Sequence, residues 1–414
     1  MRKTFTILAN SFRLTIQELM VNKLRTSLSL IGISFGIFCI IGVLATVNSL
    51  EQNIQNQLKS LGTNTIIIDK WAYQGGPDYP WWKFVSRPSP KYEEIKFIKE
   101  RSTLTSNISF NIDSRVDVEY DNYALQGVSM SGVTEENIDI QPLTMAYGRY
   151  ISGNEFSYGS PVAVIGYTNA EDLFGAADLA IGKEVKLKNH QCTIIGVIKK
   201  TGETMIGQNL DQSITVPYRF ARKIINEKQS GPRIVVKGKD NVSSAALANE
   251  LEGVMRSIRK LSPTQEDNFT LNQISSFSDR VSSMFSSINL GGWAIGILSL
   301  VVGAFGIANI MFVTVKERTP MIGLKKAIGA KKRSILSEFL LEAAIICILG
   351  GIIGLILVYI LTLILTNLFN FPVFISAGIL TLAISICIII GILSGLIPAL
   401  TASRLDPVVA IRSK

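Results

Sequence analysis

Charge is what this 414-residue chain has too little of: Asp, Glu, Lys and Arg make up 18% of it, against about a quarter in an ordinary soluble protein. The shortfall is local. Residues 26–50, 281–315 and 343–403 contain none of the four. A helix of about 20 mostly apolar residues crosses a bilayer, so the first two stretches hold one span each. The third holds two, broken by a turn at 367–372. A soluble globule is thereby excluded. Histidine is nearly absent too. The single His190 lies two residues from Cys192, and two ligands do not make a metal site; a Ser/His/Asp or Cys/His catalytic arrangement also lacks material. Of the four cysteines, Cys39, Cys347 and Cys387 fall in the expected spans, which leaves Cys192 no intrachain disulfide partner outside the membrane. The sequence contains no G-x-x-x-x-G-K-[ST] phosphate loop. The chain is therefore read as not an enzyme, with no catalytic, cofactor-binding or metal-binding residues of its own.

What charge there is carries an orientation. Residues 1–25, 316–342 and 404–414 hold 15 Lys and Arg against 5 acids, whereas residues 51–280 hold 26 against 27. Cytoplasmic segments carry the Lys/Arg excess, so both termini and the loop around 316–333 are placed in the cytoplasm and the large central domain outside. A basic balance of this kind, flanking spans, is a topology signal that meets anionic headgroups and implies no nucleic-acid partner. The first span starts too late and runs too long for a cleaved signal peptide and is read as a retained anchor.

The expected organisation follows. Residues 1–23 form an amphipathic helix at the inner leaflet, through Phe5, Leu8, Phe12, Ile16 and Leu19. Spans occupy 24–48, 288–315, 334–366 and 373–400, and residues 401–414 form a cytoplasmic tail. Residues 49–62 and 273–287 keep a helical rhythm and extend two spans outward as a stalk. The outer domain, 63–272, contains two βαβ units (65–69, 90–100, 108–112 and 233–237, 242–260, 269–271), which suggests a ferredoxin-like α+β subdomain. A mostly β insertion is expected between them, over about 113–232. Residues 71–90, rich in Gly, Pro and Trp, are expected to be a loop, and Ser89 and Pro90 to start the helix that follows.

Two features outside the outer domain have mechanical meaning. In the loop Glu317, Arg318, Thr319, Pro320, Met321, Ile322, Gly323, Leu324, Lys325, Lys326, Ala327, Ile328, Gly329, Ala330, Thr319 is suited to cap a helix, Pro320 to its first position and Gly329 to its end. Met321, Leu324, Ala327 and Ile328 share one face. A short amphipathic helix between two spans either enters a groove of a partner or rests on lipid; periodicity alone leaves both open. The spans also carry glycine pairs at four-residue spacing, Gly32/Gly36, Gly292/Gly296, Gly350/Gly354 and Gly391/Gly395. Small residues so spaced let helices approach closely in lipid, and Gly32/Gly36 are expected nearest a dimer interface. Glu338 and Glu342, one turn apart at the start of the third span, are either paired, as carboxylates at membrane depth usually are, or, for Glu338 above all, turned to interfacial water.

The inter-span loop, together with residues 339–343 and 350–354, resembles the signature of the MacB/FtsX-like ABC transporter permeases. Residues 22–33 entering the first span, and the C-terminal segments 395–399 and 402–412, match the same family in the same order. The resemblance implies four transmembrane helices per subunit, a second permease copy as homodimer partner, and a coupling helix that contacts an ABC ATPase, here about 319–328. It implies that ATP and Mg are bound by the partner ATPase and that Glu342 bonds a lysine of the coupling helix. Met321 departs from the family, which often has Glu there, so a hydrophobic contact replaces a polar one. The implied role is inner-membrane export of antibiotics, peptides or other small molecules by mechanotransmission, with a periplasmic adaptor and outer-membrane duct as further partners. Lipoprotein release of the LolC/LolE kind and FtsX-like regulation of a periplasmic partner are the alternatives.

Overall fold

In a computed structural model of the chain, residues 23–60, 62, 64–73, 79–202, 209–369 and 373–412 are described. The amphipathic helix expected at 1–23 lies, apart from Lys23, outside them. The chain divides into two compact units, residues 1–51 with 283–414, and residues 52–282.

The first unit is helical. Helices α1 (Lys23–Ser60), α9 (Ile274–Glu317), α11 (Lys332–Phe369) and α12 (Ala377–Arg404) are each long and apolar enough to cross a membrane. They are joined by α10 (Thr319–Ala327) and followed by α13 (Pro407–Arg412). Glycine sets the approach of the spans. A Cβ on Gly36 would lie 3.1 Å from Leu300, on Gly292 2.5 Å from Val43, and on Gly296 1.9 Å from Ile40, so α1 and α9 pack through these positions. Gly32 meets the backbone of Gly303 across the same contact. Gly350 and Gly354 bring α11 against Ile33, Ser34 and Ile37 of α1, and Gly391 and Gly395 bring α12 against Ala343 and Ala344 of α11. All four pairs thus serve contacts within one chain, and Gly32 and Gly36 in particular face α9. Buried Ser34 donates to Leu30 O (2.6 Å) and Gly350 O (2.9 Å), adding a polar tie where α1 meets α11. Helix α12 starts at Ala377, later than the hydropathy suggests, because Ser376 caps it through the Ile379 amide (3.3 Å) and the Phe374 amide bonds Ser49 Oγ of α1 (2.9 Å).

The second unit is a ten-stranded sheet of β1 (Thr65–Asp69), β2 (Thr105–Tyr120), β3 (Tyr123–Val133), β4 (Met145–Gly148), β5 (Val162–Ile165), β6 (Glu184–Leu187), β7 (His190–Ile198), β8 (Ser213–Pro217), β9 (Arg233–Gly238) and β10 (Thr270–Gln273). Its first part reads β10-β1-β9-β2, every neighbour antiparallel. With α3 (Glu94–Arg101) between β1 and β2, and α8 (Ser244–Ile258) between β9 and β10, this is the split βαβ arrangement of a ferredoxin-like subdomain. Leu247, Leu251 and Met255 form one buried stripe of α8 and pack with Ile98 of α3 on Ile66, Ile68, Phe110, Ile234 and Val236. Arg259 clamps Glu94 at 3.0 Å with both side chains nearly buried. Near the start of α1's outer end, Gln55 Nε2 donates to Ser278 O (3.1 Å) and Ser282 Oγ (3.0 Å) of α9.

Three local expectations fail for physical reasons. The insertion does not begin at 113, because β2 is one strand of 16 residues with a bulge between Val116 and Val118. Its polar residues are satisfied sideways: Asp113 accepts from Ser131 Oγ (2.7 Å) and pairs with Arg233. The insertion is also less purely β than expected. It holds α4 (Asn137–Ile140), α5 (Gly153–Tyr158), α6 (Tyr167–Phe174) and α7 (Tyr218–Ile224), too short for a 3.6-residue period to register in sequence. Finally, residues 81–85 form a helical turn, α2 (Trp81–Val85), and α3 begins at Glu94, beyond Ser89 and Pro90. Ahead of α3 the Lys91 amide donates to Glu94 Oε2 (3.0 Å), and Tyr92 stacks on Tyr218 with ring centroids 4.7 Å apart.

Candidate functional site

Helix α10 is nine residues long, too short to be stable by itself, and every part of its surroundings is organised to hold it. Its N-cap is Arg318 rather than Thr319; Thr319 turns its hydroxyl back to Val315 O of α9 (2.9 Å), with Pro320 inside the first turn. At the other end the amides of Gly329 and Ala330 bond Lys326 O and Lys325 O, both 3.0 Å. With Gly329 at φ +97°, this is a Schellman closure, for which glycine is required.

The helix has two unlike faces. Ile322 and Gly323 point inward and are buried. A Cβ on Gly323 would lie 2.8 Å from Ala410 Cβ, so glycine lets α10 and α13 touch. The outward face is apolar and bare: Met321, Leu324, Ala327 and Ile328 are exposed, Ile328 at 79%. Glu317 and Pro320 beside it are exposed as well.

The cations of this segment point the other way, into the molecule. Lys325 Nζ meets Glu338 Oε1 at 2.8 Å, and Arg318 Nη1 meets Glu342 Oε2 at 3.4 Å, so both carboxylates of α11 are engaged. Glu342 thus pairs with Arg318, just before the helix, while the helix lysine Lys325 pairs with Glu338. Lys326, which the sequence pattern does not single out, donates to Ser403 O (2.7 Å) and Leu405 O (2.5 Å). Those are carbonyls at the C-terminus of α12, where a cation complements the helix dipole. Burial pushes the Lys326 pKa down, and the charge of Lys332 adds to the effect. The sequence offered only a weak sign of this role, two adjacent lysines of which one faces outward on any helical wheel.

A small rigid element with a bare apolar face is tied to α11 by two ion pairs and to α12 by a lysine, and follows α9 after a single residue. The glycine pairs are placed away from it, in the packing of the spans. His190 is exposed and Cys192 is buried in the outer unit, where burial pushes its thiol up to about 12. Among the described residues no group of three His, Cys, Asp or Glu side chains could hold a metal ion.

Comparison with known proteins covers both units. The MacB-like periplasmic core domain family matches residues 26–254, and the FtsX-like permease C-terminal family matches residues 293–407. The macrolide export ATP-binding/permease protein MacB of Neisseria gonorrhoeae is 31% identical over 407 residues, covering 97% of this chain and 60% of that protein. The MacB of Bdellovibrio bacteriovorus is 30% identical over 397 residues, covering 96% and 60%. The chain therefore spans about 60% of the length of the curated relatives it matches. Among solved structures, the periplasmic region of MacB from Actinobacillus actinomycetemcomitans aligns with a TM-score of 0.45 at 18% identity, over 55% of this chain and 97% of that one. The extracellular domain of the transporter YknZ from Gram-positive bacteria aligns with a TM-score of 0.39 at 17% identity, over 50% and 98%.

Proposed function

The chain belongs to the MacB/FtsX-like family of ABC transporter permeases, and from that membership we propose that it is the membrane part through which an ABC ATPase drives export of antibiotics, peptides or other small molecules. The observation that carries the proposal is the division of α10 into an outward apolar face and inward cations. A partner seated on Met321, Leu324, Ala327 and Ile328 pulls on a helix tied to α11 through Lys325 and Arg318 and to α12 through Lys326. ATP and Mg belong to that partner. Helices α1 and α9 run 38 and 44 residues, well beyond the roughly 20 that a crossing needs, and an unbroken helix of that length carries displacement along its axis. The described spans contain no charged residue between 26–50, 281–315 and 343–403, which disfavours a hydrophilic path through the bilayer and favours work done on the outer domain. In this reading both termini are cytoplasmic, a second copy completes the transporter, and a periplasmic adaptor with an outer-membrane duct takes up the cargo.

The test is association with the ATPase. Leu324→Asp and Ile328→Asp place a charge at the centre of the exposed face without touching the buried one. Each is expected to lower the ATPase recovered with the purified full chain at least tenfold while the thermal midpoint of the permease stays unchanged. Undiminished recovery with both variants sinks the proposal.

A further inference from the structure

Helix α13 has no role in the reading above, yet it is built with care. Asp406 caps it by accepting from the Val408 amide (2.8 Å), Pro407 stands at its first position, and the Ala410 amide closes on Asp406 O (2.9 Å). Six residues cannot keep a helix by themselves. The rest of its support comes from α10: Ala410, 1% exposed, sits against Gly323, and Ile411 lies within 3.1 Å of the same point. Lys326 then fixes the turn between α12 and α13 by holding both Ser403 O and Leu405 O. So supported, α13 leaves Val408, Val409 and Ile411 exposed at 62%, 68% and 51%.

We propose that α13 is part of the ATPase-docking surface, so that the partner engages α10 and α13 as a two-helix clasp and thereby holds the end of the fourth span directly. The inference rests on the coupling role of α10. The distribution of charge identifies the occupant as protein. A helix lying on lipid spreads Lys and Arg along its polar face to reach headgroups; here Lys325 and Lys326 are turned inward to Glu338 and to backbone carbonyls. Among the described side chains the fully outward residues of both helices are uncharged, Lys325 being only partly open, while Lys331, Lys332, Arg333 and Arg404 in the flanking segments are exposed. An apolar centre with a charged rim is the anatomy of a protein interface. The rim is mixed in sign, with exposed Glu317 and Asp406 among more numerous cations, and calls for an ATPase groove that is apolar in its floor and charged at its edge.

Photo-crosslinking in the full chain, in the membranes of its own host, separates this inference from the reading beneath it. A photoreactive residue is placed at Leu324 or at Val409, with Ile364 of α11 as a lipid-facing control, and the adducts are identified by mass spectrometry. The same ABC ATPase is expected at Leu324 and Val409, and Val408→Asp with Val409→Asp is expected to lower its recovery at least tenfold. If Leu324 captures the ATPase but Val409 captures only lipid, a second copy of the chain or nothing, the clasp is wrong and the coupling role of α10 stands. If neither position captures an ATPase, both are wrong. Because the probe sits on an exposed side chain, neither outcome depends on a destabilised variant.

Discussion

Individual glycines in this chain do opposite things, and their surroundings say which. At Gly296 an added Cβ would fall 1.9 Å from Ile40, and at Gly391 2.7 Å from the backbone of Ala344, so both spans depend on the missing side chain. Gly253 has the same backbone conformation in α8 but no atom within 4 Å. Glycine in a helix interior is worse than alanine by about 0.8–1 kcal/mol. Gly253→Ala is therefore expected to stabilise the protein by about that amount, read as a raised thermal midpoint, whereas Gly296→Ala is expected to lower it. Spacing in the sequence made the four span pairs visible. It did not reveal which neighbour each would meet, because a four-residue repeat marks a face of a helix and leaves its partner unspecified. The same limit hid Lys326. Whether a cytoplasmic lysine serves lipid or a carbonyl is decided by a contact some 77 residues away.

At the scale of elements, α10 hangs on two ion pairs of unequal worth. Glu338 and Lys325 are partly open to solvent, and such pairs contribute about 0.2–1 kcal/mol. Glu342 is 2% exposed and faces Arg318, itself largely buried; removing one partner of a buried pair strands the other at a cost of about 3–5 kcal/mol. Glu342→Ala is accordingly expected to lower the thermal midpoint sharply and to free α10 for backbone amide exchange. Glu338→Ala is expected to leave stability nearly unchanged. Equal effects would show that burial does not set the strength of these ties. The long elements were the most legible: charge-free runs announce spans, and the alternation at Ile108, Phe110 and Ile112 announces a strand. Elements of four to eight residues, such as α4 to α7, depend on caps and neighbours that no local pattern records. Helix α3 shows the same in reverse, since a good cap and proline at Ser89 and Pro90 do not start it.

Taken whole, the outer unit is less divisible than its two βαβ units suggest. Strand β2 pairs with β9 in the ferredoxin-like part and with β3 and β6 in the insertion, so one strand belongs to both. Ile112, fully buried in β2, is packed where the two parts meet along that strand. Ile112→Val is expected to cost about 0.5–1.5 kcal/mol and to raise amide exchange in β1 and in β7 together; an effect confined to one of them would mean that the parts open independently. The fold class was readable in advance because it rests on composition and on local chemistry. The shared strand was not, because the polar residues Asp113, Ser114 and Arg115 resemble a loop until Arg233 and Ser131 are brought beside them by the fold.

Strand β1 is made first and finished last. Its neighbours are β9, some 170 residues downstream, and β10, some 200. At a synthesis rate of about 5–20 residues per second, β1 waits roughly 10–40 seconds for its second partner. During that interval Ile66, Ile67 and Ile68 stand on an unpaired edge of high β propensity, a ready template for wrong pairing. The chain in between therefore has to be delivered as well as folded, and the pace of its export across the membrane becomes a determinant of how much of it survives.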